Sequence, residues 1–147
     1  MFNLKKSKKT KYHQGKFFPK NKEKFVGSND FCTYRSSWEL SVMNFFDDNP
    51  YILNWSSELI KINYMDPITK KWRTYYPDFI IKYKKNNIEY TELVEVKPRC
   101  QAYQQYAKSK KDKEAFILNT AKWKYALKWC EKNNAKFRIL TEKDIYL

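Results

Sequence analysis

Apolar residues first recur with the spacing of a helix between Ser36 and Asp47. Those near a 3.6-residue period are Trp38, Val42, Met43, Phe45 and Phe46. Asp48-Asn49-Pro50 follows as a stop signal, because proline cannot continue a helix. A second segment with this period runs from Thr120 to Glu131 and ends at Asn133-Asn134. The pattern therefore predicts two helices.

Short runs of aromatic and β-branched residues lie between and after these helices, as expected for strands. The runs are Tyr51–Trp55, Glu58–Tyr64, Trp72–Tyr83, Ile88–Lys97 and Phe137–Leu140. Turns separate them at Met65-Asp66-Pro67 and at Lys84-Lys85-Asn86-Asn87, and Thr141–Asp144 caps a short terminal helical turn. The element order α-β-β-β-β-α-β predicts an α/β (α+β) fold, a mixed sheet flanked by helices.

The positive charge is concentrated in two blocks. The 147-residue chain carries 30 Lys and Arg against 16 Asp and Glu, which gives a net charge of +14. Residues 1–26 hold nine lysines and one acid, and Arg99–Lys113 holds five cations and one acid. Such blocks attract polyanions, most often nucleic acid, although a solvated tail and a solvated loop are also compatible. Aromatic residues in the first block can stack on bases or pack onto the domain: Tyr12, Phe17, Phe18 and Phe25.

We interpret residues 1–30 as an extended basic N-terminal arm, ordered only against something else, and residues 31–147 as one domain. A membrane surface fits the arm less well, since the arm has no amphipathic helical period. No apolar run reaches the length of a membrane span and no signal peptide is recognisable, so we expect a soluble protein made inside a cell. Cys32, Cys100 and Cys130 are far apart, which favours reduced thiols over a zinc knuckle or a disulfide framework.

Scarce residue types exclude several kinds of active site. With only Gly15 and Gly27, the chain cannot form a P-loop or a GxGxxG dinucleotide-binding turn, since both need several glycines. With only His13, a histidine-based triad or an HExxH zinc site is not expected. Hydrolytic chemistry would therefore depend on carboxylates, lysine and a hard metal ion.

Two acids face each other in the predicted hairpin around Asn86-Asn87. If those two residues form the loop, Asp78 lies opposite Glu95, with Cβ atoms about 4.5–5.5 Å apart, and Lys97 shares their face. Oxygen ligands of this kind suit Mg²⁺ or Mn²⁺. The three side chains could instead form the solvated face of an edge hairpin. Their apolar sequence neighbours favour a site, because buried acids are costly unless paired or metal-bound.

Three further charged residues have two interpretations each. Ser36-Ser37-Trp38-Glu39 matches a capping box, in which Glu39 reaches back to the Ser36 amide, and Glu39 is equally a catalytic candidate. Arg35 could bind a phosphate or pair with an acid. Glu58 could be a further metal ligand or an acid at the surface.

Glu39, Pro77-Asp78 and Glu95-Val96-Lys97 together resemble the PD-(D/E)xK nuclease superfamily, in particular its TnsA-like branch. A wider set of segments is similar to the head-completion nucleases of T-even-like tailed bacteriophages: Tyr12 with Gln14-Gly15-Lys16, Tyr34–Glu39, Asn54–Glu58, Glu95–Pro98, Lys122-Trp123 and Ile139–Glu142. The chain departs from that family at His13, which is inserted, and at Asn21-Lys22, where Asn-Pro would be expected. Both departures lie in the arm.

The resemblance implies a restriction-endonuclease-like fold and a magnesium-dependent DNA nuclease, with Mn²⁺ as a substitute. Asp78, Glu95 and the Val96 carbonyl would hold the metal, Lys97 would orient the attacking water and offset charge in the transition state, and Glu39 would hold a second metal or a metal-bound water. The products would carry 5′-phosphate and 3′-hydroxyl ends. Lys122 is either a phosphate contact or a solvated lysine beside a core tryptophan. The candidate DNA-binding residues are Arg35, Arg99, Lys108, Lys110, Lys111 and Lys122.

The implied setting is phage head completion and head–tail joining. Double-stranded DNA and head, portal or neck proteins would be the partners, in the host cytoplasm during assembly and in the virion. The activity could be endonucleolytic or exonucleolytic. Two alternatives stay open: a non-catalytic virion protein whose basic arm clamps packaged DNA or the portal, and a binder of DNA or RNA without chemistry. Pure binders have no reason to place paired acids against a polyanion, which argues against both alternatives.

Overall fold

A four-stranded mixed sheet lies at the centre of the computed structural model, which describes residues 14–145. The elements are, in chain order, β1 Gly15–Phe17, β2 Cys32–Tyr34, α1 Ser37–Asp48, β3 Ile52–Ser57, β4 Ile62–Met65, β5 Trp72–Tyr75, β6 Phe79–Lys85, β7 Ile88–Val96, α2 Arg99–Ala102, a 3₁₀ turn Gln104–Tyr106, α3 Lys110–Lys132, β8 Lys136–Leu140 and α4 Glu142–Ile145. The central sheet has the order β3-β6-β7-β8, in which β7 and β8 are parallel and the other neighbours antiparallel. β1 pairs with β2, and β4 pairs with β5, in two separate two-stranded sheets.

The central sheet separates two hydrophobic cores. α1 packs on one face, over Val94 and Val96, and α3 packs on the other face, over Leu93. Successive side chains of a strand point to opposite faces, so Glu95 lies on the α3 side. Because both faces of β7 are covered here, its last residues are all buried, and Glu95 is the one acid among the apolar Leu93, Val94 and Val96. The predicted mixed sheet flanked by helices is confirmed.

The β6–β7 hairpin has the predicted register. Ile80 pairs with Leu93, and Lys85 pairs with Ile88 across the two-residue loop. Asn86 and Asn87 have φ values of 51° and 62°, the conformation that a type I′ turn requires at both positions and that asparagine tolerates. A local turn signal thus fixes which residues of the two strands meet.

The predicted strand Trp72–Tyr83 is two strands. Tyr76-Pro77-Asp78 interrupts it, since proline cannot donate a hydrogen bond to a ladder. β5 leaves the central sheet and pairs with β4, while β6 continues in the central sheet. The break places Asp78 immediately before β6.

The second predicted helix begins earlier than the hydrophobic period indicated. α3 starts at Lys110 rather than Thr120, and the Ser109 hydroxyl caps it by accepting a hydrogen bond from the Asp112 amide at 3.0 Å. No helix within residues 14–145 combines the length and the apolar character that a membrane crossing needs. Cys130 is buried on α3, and all three cysteines are free, as predicted.

Much of the predicted arm packs on the domain. Phe17 is buried, and the ring of Phe25 lies 4.9 Å from that of Trp55. The Trp55 amide donates to the Lys24 carbonyl, and the Val26 amide donates to the Trp55 carbonyl, both at 2.9 Å. Of the two uses expected for the aromatic residues of the arm, the structure shows packing onto the domain for Phe17 and Phe25. Tyr12 and the lysines of residues 1–13 lie outside the described residues, and the division of the chain at residue 30 stays a prediction.

Candidate active site

The start of β6 and the end of β7 bring two carboxylates together. The Asp78 amide donates to Glu95 Oε1 at 3.0 Å, and the Val96 amide donates to Asp78 Oδ2 at 2.7 Å. Each carboxylate is thus held by the backbone of the strand that carries the other. These two hydrogen bonds place Asp78 opposite Glu95, one position beyond the Phe79–Val94 pair of the ladder, and they hold both side chains in place.

The environment of this pair disfavours two negative charges. Glu95 is 2% exposed and Asp78 is partly buried. Burial raises the pKa of Asp78 well above its usual value, and the charge of Glu95 raises it further. Burial likewise raises the pKa of Glu95. The ammonium of Lys97 opposes the pKa increase at both groups.

The carboxylates open into a cavity of about 420 Å³ that also contains cations and tyrosines. Its lining residues are Arg35, Glu58, Thr74, Tyr75, Tyr76, Asp78, Glu95, Lys97 and Lys122. The structure therefore brings together five residues that the sequence singled out as site or DNA contacts, along with Glu58. Two carboxylates with cations beside them could bind a phosphate through a metal ion that the carboxylates hold.

Lys122 reaches this cavity from α3. Its Nζ lies 5.7 Å from the ring centre of Tyr64 and 5.6 Å from that of Tyr75. Burial lowers the pKa of Lys122, and the charge of Lys97 lowers it further, whereas Glu95 and Asp78 raise it. A partly desolvated ammonium in this position binds an anion more strongly than a solvated one would.

Glu39 caps α1, at a different amide from the predicted one. Its Oε2 accepts a hydrogen bond from the Arg35 amide at 2.9 Å, not from the Ser36 amide, and its own amide donates to the Ser36 hydroxyl at 3.1 Å. Glu39 is not among the residues that line the cavity, although its charge contributes to the raised pKa of Asp78. The capping contact and a role beside the carboxylates are compatible.

Arg35 and Glu58 form an ion pair at the cavity wall. Glu58 follows β3 with a φ of 51°, and its amide donates to the Asp78 carbonyl at 3.0 Å. Its backbone thus supports Asp78 while its side chain holds Arg35. Among residues that sequence reasoning missed, Trp123 donates through Nε1 to Glu95 Oε2 at 3.5 Å, and Tyr75 lies beside Glu95. The only sequence signal for them is their place next to Lys122 and Pro77-Asp78.

Comparison with known proteins gives the family. The sequence profile described as TnsA-like endonuclease N terminal matches residues 49–142. The chain belongs to the TnsA-like endonuclease family. It is also 34% identical over 140 residues to the head completion nuclease of Enterobacteria phage T4, which covers 88% of this chain and 91% of that protein.

Membership of the TnsA-like family confirms the resemblance drawn from the motifs and the restriction-endonuclease-like fold. The matched segment runs from the end of α1 to α4 and contains Asp78, Glu95, Lys97 and Lys122, whereas Glu39 precedes it. The chain is thus a nuclease by family, and its hairpin pair occupies the centre of the shared domain.

Four of the candidate DNA-binding residues lie outside the cavity. Arg99 is held by Glu142, whose carboxylate accepts from Arg99 Nε at 2.8 Å and from its amide at 2.9 Å. The other three are exposed at or just before the start of α3: Lys108, Lys110 and Lys111. Positive side chains at a helix N-terminus add to the positive end of the helix dipole, so this corner repels cations and attracts anions.

The donor set in this TnsA-like domain fits a hard divalent cation. Within residues 14–145, no group of three or more His, Cys, Asp or Glu side chains is placed to hold a metal ion. The protein offers two carboxylates with adjoining backbone carbonyls, all of them oxygen donors. Mg²⁺ and Mn²⁺ are commonly bound by one or two carboxylates and keep sites for water and phosphate oxygens, whereas structural zinc requires four protein ligands.

Proposed function

We propose that this chain is a deoxyribonuclease that hydrolyses phosphodiester bonds of double-stranded DNA with Mg²⁺, or Mn²⁺ as a substitute. The observation that carries the proposal is the reciprocally bonded pair of buried Glu95 and partly buried Asp78, which opens into a cavity with Lys97 and Lys122. A fold scaffold or a simple DNA-binding surface gains nothing from two acids whose pKa values are raised by burial.

Asp78, Glu95 and the Val96 carbonyl would hold the metal. The bound metal would polarise the phosphate and lower the pKa of the attacking water, so that no histidine is needed to activate this water. Burial raises the pKa of both carboxyls, so their ionised forms are unfavourable unless a cation lies beside them. A metal ion held at this point would supply that charge.

Lys97 has two tasks in this scheme. Its charge opposes the rise in the pKa of both carboxyls and so favours the ionised form that a metal binds. Its ammonium would also orient the attacking water and offset the charge that develops on the phosphate oxygens. Glu39, close enough to raise the pKa of Asp78, would hold a second metal or a metal-bound water.

The DNA contacts divide by position. Lys122 and Arg35 line the cavity and would bind phosphates next to the scissile bond. Lys108, Lys110 and Lys111 would bind the backbone farther along the duplex. Arg99 would join them only by exchanging Glu142 for a phosphate, since Glu142 now holds its guanidinium.

The biological setting proposed for this chain follows its relative. The protein of phage T4 is named a head completion nuclease. We place this chain in the same step, acting on packaged DNA in the host cytoplasm before the head joins its tail. A head, portal or neck protein would be its partner, and the nuclease would stay with the virion.

A nicking assay tests the proposal. Covalently closed plasmid with Mg²⁺ reports endonuclease cleavage, and end-labelled linear DNA reports exonuclease cleavage. We expect Asp78→Asn and Lys97→Met each to lose about 10²-fold or more in rate while still binding DNA, the loss usual for a group that stabilises the transition state. Glu89→Gln and Lys82→Met are the matched controls, because both residues are exposed on the same hairpin.

Two results would count against the scheme. Equal nicking by Asp78→Asn and Glu89→Gln would remove the site assignment. Salt-sensitive DNA binding by the wild type without cleavage would instead favour the non-catalytic virion protein, whose affinity depends on released counterions alone.

A further inference from the structure

The β4–β5 hairpin is a basic ribbon that the proposed mechanism does not use. It spans residues 62–75, and its connecting loop and second strand are exposed continuously from Ile68 to Thr74. Lys70 and Lys71 lie in the loop, and the side chain of Trp72, which follows them, is 63% exposed. An exposed tryptophan directly after two exposed lysines is typical of a surface that meets nucleic acid.

One side of this hairpin is fixed to the domain. Ile62, Tyr64 and Tyr75 are buried in the core under α3, where they meet Trp123. The ring of Trp72 contacts that of Tyr125 on α3 edge-on, with 5.9 Å between ring centres. The hairpin is therefore held in place by its packing against α3.

Asp66 orders the connecting loop from inside. Its Oδ1 accepts from the Ile68 amide at 2.8 Å and from the Thr69 amide at 3.2 Å, and Arg73 Nε lies 3.2 Å from its Oδ2. The Lys70 amide donates to the Asp66 carbonyl at 2.9 Å. Because the loop is ordered in advance, binding through it costs little conformational entropy.

The ribbon leads directly into the catalytic pair. Thr74, Tyr75 and Tyr76 line the cavity, and Asp78 follows Pro77. At about 3.4 Å per residue, the chain from Trp72 to Asp78 spans at most roughly 20 Å. A duplex whose phosphate lies in the cavity therefore has its neighbouring phosphates within reach of the loop.

We propose that the β4–β5 hairpin binds the DNA duplex that flanks the scissile phosphate, and this rests on the proposed nuclease function. Lys70 and Lys71 bind backbone phosphates, and Trp72 packs against a sugar or base face. The major groove of DNA admits a two-stranded ribbon of this width. Arg73 has a supporting task, because Asp66 holds its guanidinium against the loop.

Salt-dependent binding tests the hairpin. Anisotropy of a labelled duplex, measured with a chelator so that no cleavage occurs, compares the wild type with the double variant Lys70→Asn/Lys71→Gln. Asparagine is chosen at position 70 because Lys70 has a φ of 61°, which asparagine tolerates. The matched control is Lys84→Gln/Lys85→Gln, two exposed lysines next to the β6–β7 loop, at the end of β6 remote from Asp78.

We expect the hairpin variant to reduce the slope of log affinity against log salt by about two, one for each lost phosphate contact, while the control stays near the wild type. Equal slopes for the two variants would overturn the proposal. Thermal denaturation of both variants checks that they fold.

A second measurement does not depend on the lysines. Duplex DNA should change the tryptophan fluorescence of the wild type more than that of Trp72→Phe, and an equal change in both would overturn the proposal. Plasmid nicking by the wild type is scored separately. Its absence would reject the nuclease function, whereas the binding results alone decide whether the hairpin meets DNA.

Discussion

Lys24 provides the sharpest test of how the basic N-terminal segment is used. Its ammonium donates to the carbonyls of Phe46, Asp47 and Asn49, at 2.7, 2.9 and 2.7 Å. These carbonyls lie at the C-terminal end of α1, whose last turn contains no basic residue of its own. A lysine from the segment thus satisfies acceptors that the helix leaves open and opposes the negative end of its dipole.

The free energy of unfolding at stake can be estimated from these contacts. Hydrogen bonds to a charged group contribute about 1.5–3 kcal/mol each, and three of them share one ammonium. Burial, which lowers the pKa of Lys24, offsets part of that gain. We expect Lys24→Met to lower the free energy of unfolding by about 2–4 kcal/mol, since it removes three hydrogen bonds donated by a charged group, although the Asp47 and Asn49 carbonyls keep the donors Asn21 Nδ2 and the Ile52 amide. For a chain of this size the melting temperature would fall by about 10 °C.

Urea denaturation and DNA binding together check this estimate. Lys22→Met is the matched control, because Lys22 is exposed in the same segment and carries the same charge. The control should unfold like the wild type. If both variants unfolded like the wild type and weakened DNA binding equally, Lys24 would be an ordinary solvated cation and the docking described above would be wrong.

Three other results are expected. In metal-free protein the raised pKa values of Asp78 and Glu95 contribute to the free energy of unfolding at low pH, and this contribution is lost as the pH rises through those values. The melting temperature of Asp78→Asn, measured with a chelator, should therefore vary less with pH than that of the wild type. Glu39→Gln keeps an acceptor for the Arg35 amide but removes the charge, so plasmid nicking should fall at an unchanged melting temperature; unchanged nicking would leave Glu39 as a cap alone. Glu58→Gln should release Arg35 and tighten duplex binding up to about fivefold, since an exposed ion pair is worth at most about 1 kcal/mol; weaker binding by anisotropy would contradict this.

The predictable features of the fold depend on local signals. Asn86-Asn87 determines a two-residue loop, and the loop determines the register that brings Asp78 opposite Glu95. Helix α1 is visible from its apolar period and from the Ser36 cap. In each case a few adjacent residues carry both the pattern and the physical cause.

The features that sequence reasoning missed depend on contacts between distant residues. Glu142 captures Arg99 across 43 positions of the chain, and Trp123 reaches Glu95 across 28. Lys24 resembles its neighbouring solvated lysines in every local respect, and only the fold gives it three backbone acceptors. Pro77 interrupts a run rich in aromatic and β-branched residues. Only the pairing of β5 with β4 shows that the two parts of this run belong to different sheets.

The two kinds of cation in this chain are used differently, and this bears on how it meets DNA. Each of the four arginines forms an ion pair with an acid: Arg35 with Glu58, Arg73 with Asp66, Arg99 with Glu142 and Arg138 with Glu92. Within residues 14–145, no lysine forms an ion pair with an acid. Arginine is the residue that reads guanine through paired hydrogen bonds, whereas lysine binds phosphate as a point charge. While carboxylates hold the guanidinium groups, the cations free to meet DNA are lysines, and Arg35 and Arg99 would join them only by exchanging their acids for phosphates. This favours contacts to the backbone over the reading of base sequence.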